Sequence, residues 1–141
     1  MTVSRAAVSI EQHCRNVIRA CLNTVEERGD TYVAIHKDDS VECVVLVSMI
    51  RSQRILSVIV ADRVLFSEKT AQEMYSAVND LNCHSIVGWH SVITQGMEAM
   101  HAYRQCLWMS EHITEDQLMD VLQECIAEYT LGHARIMACG Q

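Results

Sequence analysis

The chain has 141 residues, of which 50% are apolar and 21% charged, and a formal net charge of −7. This is the composition of one soluble globular domain spanning residues 1–141, and its acidic balance argues against non-specific nucleic-acid binding, which needs a Lys/Arg surplus. No apolar run approaches the ~18 residues that span a bilayer, and the N-terminal stretch has too short an apolar core for a signal peptide.

Residues 9–28 predict the first helix. Cys14, Val17, Ile18, Cys21, Leu22 and Val25 follow the i, i+3, i+4 spacing. Ser9 is placed to cap it, and Gly29 stands where helices commonly end. Cys14 and Cys21 share the stripe, but the helix rises by ~10 Å between them, too far for a disulfide. A short strand follows at Tyr32–His36, then the turn Lys37-Asp38-Asp39-Ser40. Asp38, Asp39 and Glu42 read as a solvated turn rather than a cation site.

Val41–Phe66 reads as a β-hairpin at the middle of a sheet. Val and Ile dominate both of its arms, and β-branched side chains suit a pleated surface. The arms are joined by Arg51-Ser52-Gln53-Arg54. Cys43, Val45, Val47 and Met49 point one way, and Val44, Leu46 and Ile50 the other. In the second arm Leu56, Val58, Val60 and Val64 oppose Ile55, Ile59 and Ala61. Strands apolar on both sides want cover on both sides. Arg51, Arg54 and Arg63 could form a basic spot, although a solvated hairpin end is the simpler reading.

Ser67 is expected to cap a second helix, with Glu68 in its first turn and Ala71, Met74, Tyr75, Val78 and Leu81 as its apolar stripe. Ile86–Ile93 predicts a fourth strand, 94–98 a turn, and Ala99–Met109 a fifth strand. Thr114 and Gln117 fit a capping box, and Ile113 and Leu118 a hydrophobic staple, at the start of the last helix. Leu118, Val121, Leu122, Cys125, Ile126 and Tyr129 follow on one face, and Gly132 is expected to end or weaken it. The order α-β-β-β-α-β-β-α predicts an α+β fold: a five-stranded antiparallel sheet with helices packed mainly on one face.

The stretch Val78–Ile126 resembles the YbjN family, described as candidate bacterial sensory transduction regulators. The likeness lies in Val78-Asn79-Asp80-Leu81-Asn82 closing a helix, a strand bearing Trp89, a turn and a longer strand. It continues through Ile113-Thr114-Glu115-Asp116-Gln117-Leu118 opening the last helix. The upstream order agrees, so the pattern covers most of the chain. The resemblance implies a fold like that of type III secretion chaperones: small, acidic, bacterial, commonly homodimeric and without catalysis. The turn between strands four and five is less Asp/Gly-rich than the family pattern, and the Cys/His abundance is not a family trait.

Seven cysteines, with no CxxC and no secretion signal, predict free thiols in a reducing cytosol. For metal, the best cluster is Cys83, His84 and His90, with His101, but its spacing is not that of a zinc site. P-loop, GxGxxG and GxSxG motifs are absent, so no catalytic residue, cofactor or metal is assigned. In the fifth strand Met100, Ala102, Cys106 and Trp108 share one face. His101, Tyr103, Leu107 and Met109 share the other, which the resemblance places against the helices. Met100, Cys106 and Trp108, with Val44 and Leu46 of the hairpin, are therefore the candidate partner surface. The expectation is a cytoplasmic, non-enzymatic domain that binds a protein partner or itself as a homodimer, a regulator or chaperone-like adaptor. A small-molecule, metal or thiol-based sensor is the alternative.

Overall fold

The computed structural model describes residues 5–63, 70–96 and 98–139. Its elements are α1 (Arg5–Cys21), β1 (Glu26–Arg28), β2 (Thr31–Lys37), β3 (Glu42–Ile50), β4 (Ile55–Asp62), α2 (Ala71–His84), β5 (Trp89–Gln95), β6 (Glu98–Trp108) and α3 (Glu115–Ala138). The strands form one sheet in the order β1-β2-β3-β4-β6-β5, antiparallel at every pairing. The α+β class therefore holds, with six strands instead of the five expected.

The extra strand lies where the first helix was expected to continue. α1 stops at Cys21, and the chain turns back so that Glu26–Arg28 pair with Thr31–Val33. All three β1 residues are exposed, so no apolar alternation marks the strand. A short, charged strand suits a sheet edge because it resists pairing with other chains. Gly29 (φ +57) supplies the left-handed residue of the two-residue β1–β2 turn. It does not end a helix.

The hairpin forms as its pattern requires. Ile50 opposes Ile55 across the Arg51–Arg54 loop, and Cys43 opposes Asp62 at the far end. Arg51 pairs with Asp30 (2.8 Å) and Glu11 (3.5 Å) near the loop. Arg63 pairs with Glu42 at the opposite end. The three arginines therefore make no common basic spot. The turn carboxylates have separate partners: Asp38 bonds His36 (2.8 Å) and accepts from the Ser40 and Val41 amides, while Glu42 pairs with Arg63.

α2 begins at Ala71. Thr70 caps it: its hydroxyl accepts from the Glu73 amide (3.2 Å), while its own amide donates to Glu73 Oε2 (2.9 Å). The expected cap, Ser67, and Glu68 lie outside the described residues, as does Val64. α2 buries Met74, Ala77 and Val78, leaving Tyr75 exposed. The Thr114–Gln117 capping box is present at 3.1 and 3.0 Å, and Ile113 and Leu118 are both buried. α3 runs through Gly132 to Ala138.

All three helices cover one side of the sheet. Cys14, Val17 and Ile18 of α1 and Leu118, Leu122, Cys125 and Tyr129 of α3 join Tyr32, Val45, Val47, Leu56, Val58, Val60 and Tyr103 in one core. Met74, Ala77 and Val78 of α2 meet Ala99 and Ile136 in a second. Fully burying a side chain such as Leu56 or Val58 contributes about 1.5–3 kcal/mol, so these clusters hold the layers together.

Candidate functional site

Among the described residues, the other side of the sheet has no helix on it. Directly opposed residues of an antiparallel sheet share a face, so the register fixes what this side presents. One row reads Val33, Leu46, Ile59, Arg104, Trp89. A second reads Ile35, Val44, Ala61, Ala102, Ser91, and a third Ser48, Ser57, Cys106. Ile50, Ile55 and Trp108 close one end, and Met100 beside Ile93 lies toward the other.

The structure therefore gathers Val44, Leu46, Met100, Cys106 and Trp108 on one surface. Trp108 is 76% exposed, and Ile93, Trp89 and Ile35 are each more than 40% exposed. The other set of β6, His101, Tyr103 and Leu107, faces the helices. Both of the chain's tryptophans stand on the open side. Small Ala61, Ala102 and Ser57 are nearly inaccessible between taller neighbours. Ser57 Oγ has no hydrogen-bond partner among the described residues.

Trp89 and Arg104 were not singled out from sequence as surface residues. The Arg104 guanidinium lies over the Trp89 ring, 5.8 Å from its centroid, a favourable cation–π placement. The signal was available in β5, where Trp89, Ser91 and Ile93 recur every second residue. What sequence could not supply was that β5 pairs with β6 so as to bring Trp89 beside Arg104. Tryptophan and arginine are the side chains that most often dominate protein interfaces.

The histidines behave otherwise than a metal cluster would require. Cys83 and His84 are exposed, and His84 Nδ1 donates to the Asp80 carbonyl (3.0 Å). His90 and His101 are buried together, with His90 Nδ1 2.8 Å from His101 Nε2. The His101 amide donates to Asp62 Oδ2 (2.6 Å), and the Tyr129 hydroxyl donates to the other oxygen of that carboxylate. His133 Nδ1 lies 3.9 Å from Asp62 Oδ1. No group of three or more His, Cys, Asp or Glu among the described residues could hold a metal ion.

Burial governs the charge of this cluster. It pulls His90 down to about 4, and with the neighbouring imidazoles it pulls His101 down to about 3. It lifts Asp62 to about 6 against the two hydrogen bonds that favour its anion. Gly132 makes room for the cluster. A Cβ there would lie 2.7 Å from His101 Cε1 and 2.9 Å from His90 Cε1. The glycine inside α3 is thus a packing requirement, not a stop signal.

The cysteines are free thiols. Burial pushes Cys43 and Cys125 up to about 12 and raises Cys14, which suppresses the reactive thiolate at those positions. Among the described residues no helix is long and apolar enough to cross a membrane.

No protein-family model matches the sequence, and no curated protein matches it. The fold does match solved structures. One is YbjN, a candidate transcription regulator from E. coli, with a TM-score of 0.64, 9% identity, and coverage of 90% of this chain and 89% of that one. Another is a chain of the HopA1–SchA chaperone–effector complex, with a TM-score of 0.54, 11% identity, and coverage of 93% and 97%. At these identities the likeness is one of fold: the chain has a YbjN-like architecture, which that chaperone–effector structure shares.

Proposed function

We propose that this chain is a cytoplasmic, non-enzymatic protein-binding domain, a regulator or chaperone-like adaptor, that works as a homodimer through the open face of its sheet. The observation that carries the reading is that face itself. An uncovered layer of Val44, Leu46, Ile55 and Ile59, flanked by Trp89 and Trp108, is a costly surface for a lone domain to keep in water. Five strands spaced ~4.8 Å apart, of seven to eleven residues, give it roughly 550 Å² of flat area. That is close to the ~600 Å² per partner at the lower end of stable interfaces, before side-chain relief is counted. The shared architecture with a chain of a chaperone–effector complex supports protein binding as the activity.

The test is the mass in solution. Wild type should sediment as two chains of 15.9 kDa. Leu46→Glu, which sets a carboxylate in the middle of the face, should give one. A wild-type mass of a single chain at every concentration, unchanged by Leu46→Glu, would remove the homodimer.

A further inference from the structure

A second surface lies on the helical side, between the α2–β5 connection and α3. It is a groove of about 580 Å³ with Leu81, Ile86 and Val87 on one wall and Glu124, Glu128 and Leu131 of α3 on the other. Ile86 is 97% exposed, and Val87 and Leu131 are each more than 60% exposed. Ile86 and Val87 were expected inside a strand. They instead form the tip of a connection that is fastened at both ends. The Asn82 side chain bonds the His90 backbone twice (2.7 and 2.9 Å), and the Ser85 hydroxyl donates to the Gly88 carbonyl (2.7 Å). Gly88 lies so close to β6 that a Cβ there would collide with Tyr103 and the Arg104 carbonyl. The apolar tip is therefore presented on a fixed scaffold, which lowers the ordering cost of binding.

The charge of the groove selects the occupant. Glu124 and Glu128 are one helical turn apart, a like-charge spacing that disfavours the helix. Glu124 has no cation partner among the described residues. The nearest basic group to Glu128 is His90 Nε2 at 3.9 Å, and burial keeps that imidazole neutral. Arg135 and Asp80 also line the groove, but they pair with each other (2.8 Å), so together they add no net charge to set against the glutamates. The groove thus joins an apolar strip to two uncompensated carboxylates.

We propose that this groove docks an extended peptide segment of a partner protein that carries a Lys or Arg two or three residues from a bulky apolar side chain. The spacing follows from α3. The midpoint of Glu124 and Glu128 lies five residues from Leu131, ~7.5 Å along the helix, which an extended segment spans in ~2 residues. The cation would meet the glutamates while the apolar side chain enters between Leu131 and Ile86. This site is separate from the open sheet face and does not depend on it.

The test is fluorescence anisotropy of the full chain with three fluorescein-labelled nonapeptides. One carries two Arg and two Leu at this spacing, one has Glu for each Arg, and one has Ser for each Leu. Only the first should bind with micromolar affinity. Glu124→Gln/Glu128→Gln and Leu131→Ser, both at solvent-facing positions, should each weaken it at least tenfold, whereas Trp108→Glu should leave it within twofold. Equal binding of all three peptides, no binding of the first, or indifference to the α3 substitutions overturns the proposal. So does conversion of a dimer to a monomer by Leu131→Ser, because a second copy would then fill the groove.

Discussion

The buried imidazole pair makes stability fall as the pH is lowered from 7.5 to 5. At pH 7.5 His90 and His101 are neutral in both the folded and the unfolded chain. At pH 5 the unfolded chain, with ordinary histidines near pKa ~6.5, has taken up both protons. The folded chain has not, because burial holds His90 at about 4 and His101 at about 3. The unfolded state binds more protons, so each histidine costs about 2 kcal/mol of stability over this interval. Asp62 acts in the opposite sense. Raised to about 6, it gains a proton in the folded chain before its unfolded counterpart does and returns about 1.4 kcal/mol. The net loss is about 2.6 kcal/mol. His133, half-buried and also lowered, adds to the loss. Asp38, held at about 2, contributes to the pH dependence only below this window. Urea denaturation at half-unit pH steps measures the curve. His101→Gln should reduce the loss to below about 1 kcal/mol by removing one of the two protons. A flat profile, or stability that rises toward pH 5, would refute a neutral buried pair.

Gly132→Ala should destabilise the fold by about 1–3 kcal/mol by thermal or urea unfolding, the cost of overpacking against His90 and His101. A glycine serving only as a weak helix residue would instead gain up to about 1 kcal/mol on the same change. Thr114→Ala should cost about 1 kcal/mol through loss of the α3 cap, measurable by the same unfolding curves. With a thiol reagent on native protein, Cys83, exposed and away from the open face, should label first, and Cys106, which stands on that face, should label faster as the chain is diluted. Cys14, Cys43 and Cys125 should label only on unfolding, and peptide mapping by mass spectrometry distinguishes them.

The parts of this architecture that announce themselves are the ones that obey a short-range period. Two-residue alternation sorted Val44 and Leu46 from Cys43, Val45 and Val47, and Trp108 from Leu107, onto the faces they occupy. The Thr114-x-x-Gln117 box marked the start of α3 because capping uses residues at fixed offsets. β1 gave no such signal: Glu26-Glu27-Arg28 is three exposed residues at a sheet edge, continuous in helical phase with Val25. Ser67 looked like a cap because it precedes an apolar stripe, yet Thr70 and Glu73 form a reciprocal pair three residues on. Gly132 reads locally as a helix terminator, and its reason lies with imidazoles 31 and 42 residues earlier in the chain. The pairing of Arg104 with Trp89 is likewise long-range, set by the order β4-β6-β5. Sequence alternation could place candidates on a face, but only the strand order shows which of them are neighbours.

If the open face of the sheet is an interface, as proposed, the protein carries its own reporter for it. Its two tryptophans, Trp89 and Trp108, both stand on that face. Acrylamide quenching and emission wavelength, followed as the chain is diluted from tens of micromolar to nanomolar, read the face directly. Sheet-to-sheet pairing predicts blue-shifted, protected emission at high concentration that moves to the red and becomes quenchable on dilution, with Leu46→Glu red-shifted throughout. Emission that is red, fully quenchable and independent of concentration in wild type would contradict it.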